Sequence, residues 1–81
     1  MDLPYYVYIL LCADQRYYVG CTSVRLKRLA RHEKGLVTST IGRLPVICVS
    51  TIGFIDKSKA FAFENYLKSG SGRAFMGRHL I

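Results

Sequence analysis

Two short apolar runs rich in tyrosine, residues 5 to 12 and 17 to 22, flank the polar residues Ala13-Asp14-Gln15-Arg16. Runs of Tyr, Val, Ile and Leu on this scale form strands, and a four-residue polar connection closes them as an antiparallel hairpin. Side chains alternate along a strand, so Tyr6 and Tyr8 take one sheet face while Val7 and Ile9 take the other. This hairpin limits the folds available to the chain more than any other segment.

The remaining sequence predicts what packs on the hairpin. Thr22 or Ser23 can cap a helix reaching about Lys34, where Gly35 stops it. Leu26, Leu29 and Ala30 would form its apolar face, and Arg28 and His32, four apart, a flanking one. Residues 36 to 44 read as a loop, and Pro45 opens a third strand running to about Thr51. Asp56 or Ser58 can start a second helix whose apolar positions are Ala60, Phe63, Tyr66 and Leu67, ending at Gly70. Glu64 borders that face. A final short helix is expected around Arg73 to His79, where three glycines obscure its limits.

The predicted order is strand-strand-helix-strand-helix-helix. It describes an α/β fold of the α+β type, a small three-stranded mixed or antiparallel sheet flanked by helices. With 81 residues there is room for one core, so residues 1–81 are expected to form one domain. At 51% hydrophobic and 12% aromatic, the chain is far from disordered composition.

Cys12, Cys21 and Cys48 are odd in number and lack the Cys-x-x-Cys spacing of a zinc site or redox dithiol. They read as reduced core or strand residues, which suits a cytoplasmic location. A catalytic Cys21 is disfavoured because no His-Asn or His-Asp partnership is evident. The apolar segment from Val7 to Cys12 is much shorter than the roughly 20 residues that cross a bilayer. No secretory signal is visible, and no membrane association is expected.

Twelve Lys and Arg against five Asp and Glu give a net charge of +7, which favours polyanionic partners. Arg25, Lys27, Arg28, Arg31 and Lys34 lie within ten residues, a density suited to phosphate contacts and equally to a solvated basic helix.

Tyr6-Val7-Tyr8 and Tyr18-Val19-Gly20 place Tyr8 and Tyr18 ten residues apart; Arg28 follows after ten more and Glu64 after another thirty-six. In this order and spacing, over nearly the whole chain, the sequence resembles the GIY-YIG nuclease superfamily, in particular its small stand-alone bacterial members. Each triplet alone is ordinary strand sequence, and the ordered set is what carries the resemblance. The loop before Pro45 and the Arg-Leu-Pro entering the third strand are similar to those relatives too.

The resemblance implies a metal-dependent endonuclease acting on DNA, structure-directed more than sequence-directed, in repair or recombination. Its implied catalytic residues are Tyr8, Tyr18, Arg28, His32 and Glu64. Glu64 would hold one Mg²⁺ or Mn²⁺, hard ions that keep several waters and use one or two carboxylates. Tyr18, ahead of Tyr8, would accept the proton of the attacking water. A free phenol titrates near about 10, so that role needs help from the metal, Arg28 or His32. His32 would relay a proton or orient a tyrosine. Arg28 would grip the scissile phosphate with two parallel contacts. Gly20 would let the backbone approach closely, and with Arg25, Lys27, Arg28 and Arg31 complete the nucleic-acid contacts.

Three departures stand out. Tyr6 replaces the first glycine, Cys21 stands where relatives often have a basic residue, and the downstream Asn of many relatives is missing, Asn65 being adjacent to Glu64. Ser71 and Arg73 are candidate substitutes that nothing in the sequence supports. These departures keep an alternative open, a nucleic-acid-binding module of the same fold with weak or absent catalysis. DNA is the implied partner, branched or single-stranded forms included, with RNA left open. The sequence carries no mark of oligomeric state.

Overall fold

The computed structural model describes residues 3–23 and 43–81. Three antiparallel strands form one sheet in the order β2-β1-β3, with β1 at Tyr5–Cys12, β2 at Tyr17–Thr22 and β3 at Val46–Phe54. Helix α1 spans Lys57–Leu67 and α2 spans Gly70–His79. Among the described residues the order is therefore β-β-β-α-α. The helix expected from Thr22 or Ser23 to Lys34 lies outside them.

The sheet is wholly antiparallel, which settles the choice between mixed and antiparallel pairing. Strands β1 and β2 are joined through the polar run itself, Ala13 to Arg16. The Gln15 N–H donates to the Cys12 carbonyl, Gln15 takes the left-handed φ of 67°, and the Cys12 N–H donates to the Arg16 carbonyl. These bonds close a tight turn over Ala13, Asp14 and Gln15, with the left-handed residue in third place. Asp14 holds this turn by accepting from the Arg16 N–H at 3.0 Å and the Arg43 Nε at 2.9 Å. The Arg16 N–H, more than any other group, pulls the Asp14 carboxyl below its usual range.

Strand β1 is central and buried on both faces: Val7, Tyr8, Ile9 and Leu10 are all inaccessible to solvent. Alternation divides them as the sequence predicts. Val7 and Ile9 join Val19, Ala60, Leu67 and Met76 in a core between sheet and helices. Tyr8 lies on the opposite face, where its ring meets that of Tyr18. Strand β3 runs three residues beyond the expected Thr51, because its pairing with β1 continues to Tyr5 opposite Phe54. A bulge opposite Ile9 and Leu10 leaves Val49 without a partner on β1.

Asp56 is the α1 cap, its Oδ1 accepting from the Ser58 N–H at 2.7 Å. The helices depart from the sequence expectation at their junction. Instead of running to Gly70, α1 stops at Leu67, and α2 starts at Gly70 instead of near Arg73. Ser69 is the reason: its hydroxyl accepts from the Gly72 N–H at 3.1 Å and donates to the Tyr66 carbonyl at 2.6 Å. One side chain caps the second helix and satisfies the end of the first, so the glycines become part of a helix despite poor intrinsic propensity. Phe63, Tyr66 and Phe75 pack across the two helices with centroids 6.0 to 6.3 Å apart. Among the described residues, no helix is long and apolar enough to cross a membrane.

Candidate active site

Hairpin register explains why tyrosines ten residues apart meet. Tyr8 pairs with Gly20 and Leu10 with Tyr18, so the two tyrosines are diagonal neighbours on one sheet face. Their ring centroids lie 6.4 Å apart with planes inclined by 37°. Tyr8 is fully buried and Tyr18 half-buried, which makes Tyr18 the phenol nearer to solvent.

Gly20 makes room for Tyr8. A Cβ on Gly20 would fall on the Cζ and Oη of Tyr8 and within 2.8 Å of its Cε2. The ring is enclosed and cannot swing clear without repacking its surroundings. Gly20→Ala should therefore cost about 1–3 kcal/mol, the usual range for overpacking, and displace the Tyr8 hydroxyl. Urea denaturation checks the first effect, and shifted Tyr8 ring resonances in the NMR spectrum of the folded variant check the second.

Glu64 lies on α1 with its side chain 18% exposed, its Oε2 3.0 Å from the Nζ of Lys68 one helical turn on. Its carboxylate is close enough to β2 to act on Cys21. Burial first, and the Glu64 charge second, push the Cys21 thiol above its usual pKa. Cys12 is likewise raised, chiefly by burial. Both residues are consequently thiols at neutral pH, in keeping with structural roles. All three cysteines are free.

A pH dependence follows from these raised thiols. They favour the protonated form in the folded state, so their contribution is fully present below the ordinary thiol pKa of about 8.5 and is lost as pH rises from there through the folded values. Urea midpoints should fall progressively in alkaline buffer. Replacing Cys12 and Cys21 by Ala should flatten that decline.

Lys68 and Cys21 connect Glu64 to β2, the strand that carries Tyr18. Tyr8 and Tyr18 occupy one sheet face, whereas Cys21, opposite Val7, faces the helices with Glu64. Strand β2, which carries both Tyr18 and Cys21, is an outer edge of the sheet. A cleft of about 620 Å³ follows it, lined by the consecutive residues Tyr17, Tyr18 and Val19 and by Leu67 and Lys68 from the end of α1. Lys68 thus touches both the Glu64 carboxylate and the cleft holding Tyr18.

Arg25, Lys27, Arg28, Arg31 and His32, expected to bind phosphate or assist the tyrosines, lie outside the described residues. Of the two residues left as replacements for the absent downstream Asn, Arg73 lines the cleft. Arg16 and Lys68 line it as well and were not singled out by sequence. The i, i+4 spacing from Glu64 is a signal that could have identified Lys68. Nothing in the sequence ties Arg16, in the hairpin, to a helix end.

Donor chemistry limits which ion suits Glu64. Among the described residues no group of three His, Cys, Asp or Glu side chains is placed to cage a metal. A single carboxylate beside a protonated thiol fits a hard ion that retains its waters, such as Mg²⁺ or Mn²⁺, better than a thiophilic one. The Lys68 ammonium already neutralises that carboxylate, and it would have to move for an ion to bind.

Comparison with known proteins identifies the family. Residues 4–78 match the GIY-YIG catalytic domain. The chain is 41% identical over 69 residues to a UPF0213 protein of Streptococcus pneumoniae, covering 84% of this chain and 70% of that one. A UPF0213 protein of Natronomonas pharaonis is also 41% identical, over 85% of this chain and 82% of its own. The solution structure of a UPF0213 protein from Bacillus halodurans superposes with a TM-score of 0.59 at 32% identity, covering 91% and 82% of the two chains. With its paired tyrosines, its fold and a domain match over most of its length, the chain belongs to the GIY-YIG family of nuclease domains.

Proposed function

We propose that this protein is a metal-dependent endonuclease that hydrolyses phosphodiester bonds in DNA, selecting its substrate by structure more than by sequence, in repair or recombination. The observation that carries the proposal is that Tyr18 lines a cleft at the sheet edge together with Lys68, the ion-pair partner of Glu64. A basic chain of net charge +7 supplies the attraction to the backbone.

The residues divide the work. Tyr18, the more accessible phenol, takes the proton of the attacking water, and buried Tyr8 fixes the Tyr18 ring from behind. Arg28 holds the scissile phosphate, and His32 relays a proton or orients a tyrosine. Glu64 holds the Mg²⁺ or Mn²⁺. Such an ion, when bound, would polarise the phosphate and acidify coordinated water. Arg25, Lys27 and Arg31 add backbone contacts, while Gly20 keeps space for Tyr8.

Purified protein incubated with labelled flap, fork, junction and duplex DNA, with and without Mg²⁺ or Mn²⁺, tests the proposal. Metal-dependent cutting of at least one substrate is expected. Salt-sensitive binding with no cutting in any of them would favour the alternative, a binding module in which Lys68 permanently takes the place of the ion. The Lys68–Glu64 pair is the feature that gives this alternative substance.

A further inference from the structure

The cleft beside β2 holds more than phosphate binding requires. Arg16, Lys68 and Arg73 supply cations from three different elements, and no Asp or Glu side chain lines it among the described residues. Ile81, 47% exposed, gives the cleft accessible apolar surface above buried Leu67 and Met76. Tyr17, 40% exposed, stands on its wall beside Tyr18.

A purely electrostatic site for a duplex backbone needs the cations alone. Bases stacked inside a duplex cannot reach an apolar surface or a phenol wall. An unpaired nucleotide uses all three elements: the base rests on apolar surface and stacks on Tyr17, while its phosphate stays with the cations. At about 620 Å³ the cleft is in the range of small-molecule sites, which run from roughly 300 to 1,000 Å³.

We infer that this cleft accepts an unpaired nucleotide next to the scissile phosphate, so that the substrate is DNA with a single-stranded segment. The inference rests on the nuclease reading for its position, since Tyr18 borders both sites, but its test does not require cleavage. Tyr17 becomes a specificity-determining residue. Arg73 contributes to affinity without choosing between DNA forms.

Fluorescence anisotropy in EDTA, at fixed salt, would compare a labelled single strand, a flap and a blunt duplex of equal length. Single strand and flap should bind more tightly than duplex, although duplex carries more charge. Tyr17→Ala should weaken single-strand binding by about fivefold or more, the low end for one lost stacking partner, and leave duplex binding within about twofold. Tyr17→Phe should retain the preference. Arg73→Gln should weaken every form and reduce the salt dependence.

Duplex binding as strong as single-strand binding would overturn the inference, as would equal weakening of all forms by Tyr17→Ala. Thermal melts of each variant exclude unfolding as the cause. Cleavage is scored separately. Metal-dependent cutting without any effect of Tyr17 removes this inference and leaves the nuclease standing, whereas selective binding with no cutting does the reverse.

Discussion

Glu64→Gln should reduce metal-dependent DNA cleavage by at least about 10²-fold, the scale seen when a group stabilising transition-state charge is removed. The substitution retains shape and helix propensity and removes only the charge. Because the side chain is partly exposed and its partner Lys68 is largely solvated, stability should change by less than about 1 kcal/mol. Binding to DNA in EDTA should be unchanged or slightly tighter, since one negative charge leaves a basic surface. Loss of cutting with preserved melting and binding assigns the carboxylate to chemistry. Equal rates in the two proteins would remove Glu64 from the site.

The largest effect on stability is expected at Gly72. A Cβ there would overlap the carbonyl of Tyr66 and lie 2.6 Å from the Leu67 Cα. These are backbone atoms at the end of α1, so no rotamer change relieves the contact. The two helices would have to separate, loosening Leu67 and Met76 from the core and weakening the Ser69 hydroxyl's hold on the Gly72 N–H. Gly72→Ala should cost about 3 kcal/mol or more. For a chain of this length, whose total stability is of the order of 4–12 kcal/mol, that is a large fraction.

Gly70 provides the internal control. Nothing lies within 4 Å of a Cβ built there, so Gly70→Ala should be neutral or stabilising by up to about 1 kcal/mol through lower unfolded-state entropy. Chemical denaturation of both variants measures the contrast. Equal effects would show that helix propensity, and not the close approach of α1, sets the requirement for glycine.

The hairpin was legible in the sequence because strand propensity, alternation and turn chemistry all agree there. Strands β1 and β2 match the apolar runs, and antiparallel pairing turns the spacing of Tyr8 and Tyr18 into a diagonal contact. The end of β3 was less legible, since extension to Phe54 depends on its pairing with Tyr5 and Tyr6. The α1–α2 junction was misjudged for a similar reason. Glycines that locally argue against helix are accepted at Gly70 and Gly72 because Ser69 caps α2 and α1 packs closely against it.

The candidate site divides along the same line. Tyr8, Tyr18 and Gly20 follow from hairpin geometry, so local sequence carries them. Glu64 could be singled out only through resemblance, because its approach to β2 depends on how α1 crosses the sheet. Lys68, Arg16 and Tyr17 entered only with the cleft, whose walls come from segments far apart in the chain. Tyr17 is ordinary strand sequence by itself, and its significance comes from lining the cleft next to Tyr18 on an edge strand.

The central claim is that Glu64 and Tyr18 border one site able to take a divalent ion. Titrating ¹⁵N-labelled protein with Mn²⁺ while recording amide spectra tests it directly. Paramagnetic broadening should begin at Glu64, Lys68, Tyr18 and Cys21, leave Ile47 and Val49 on the far strand sharp, and disappear in Glu64→Gln. Broadening centred elsewhere, or persisting unchanged in that variant, would contradict the account.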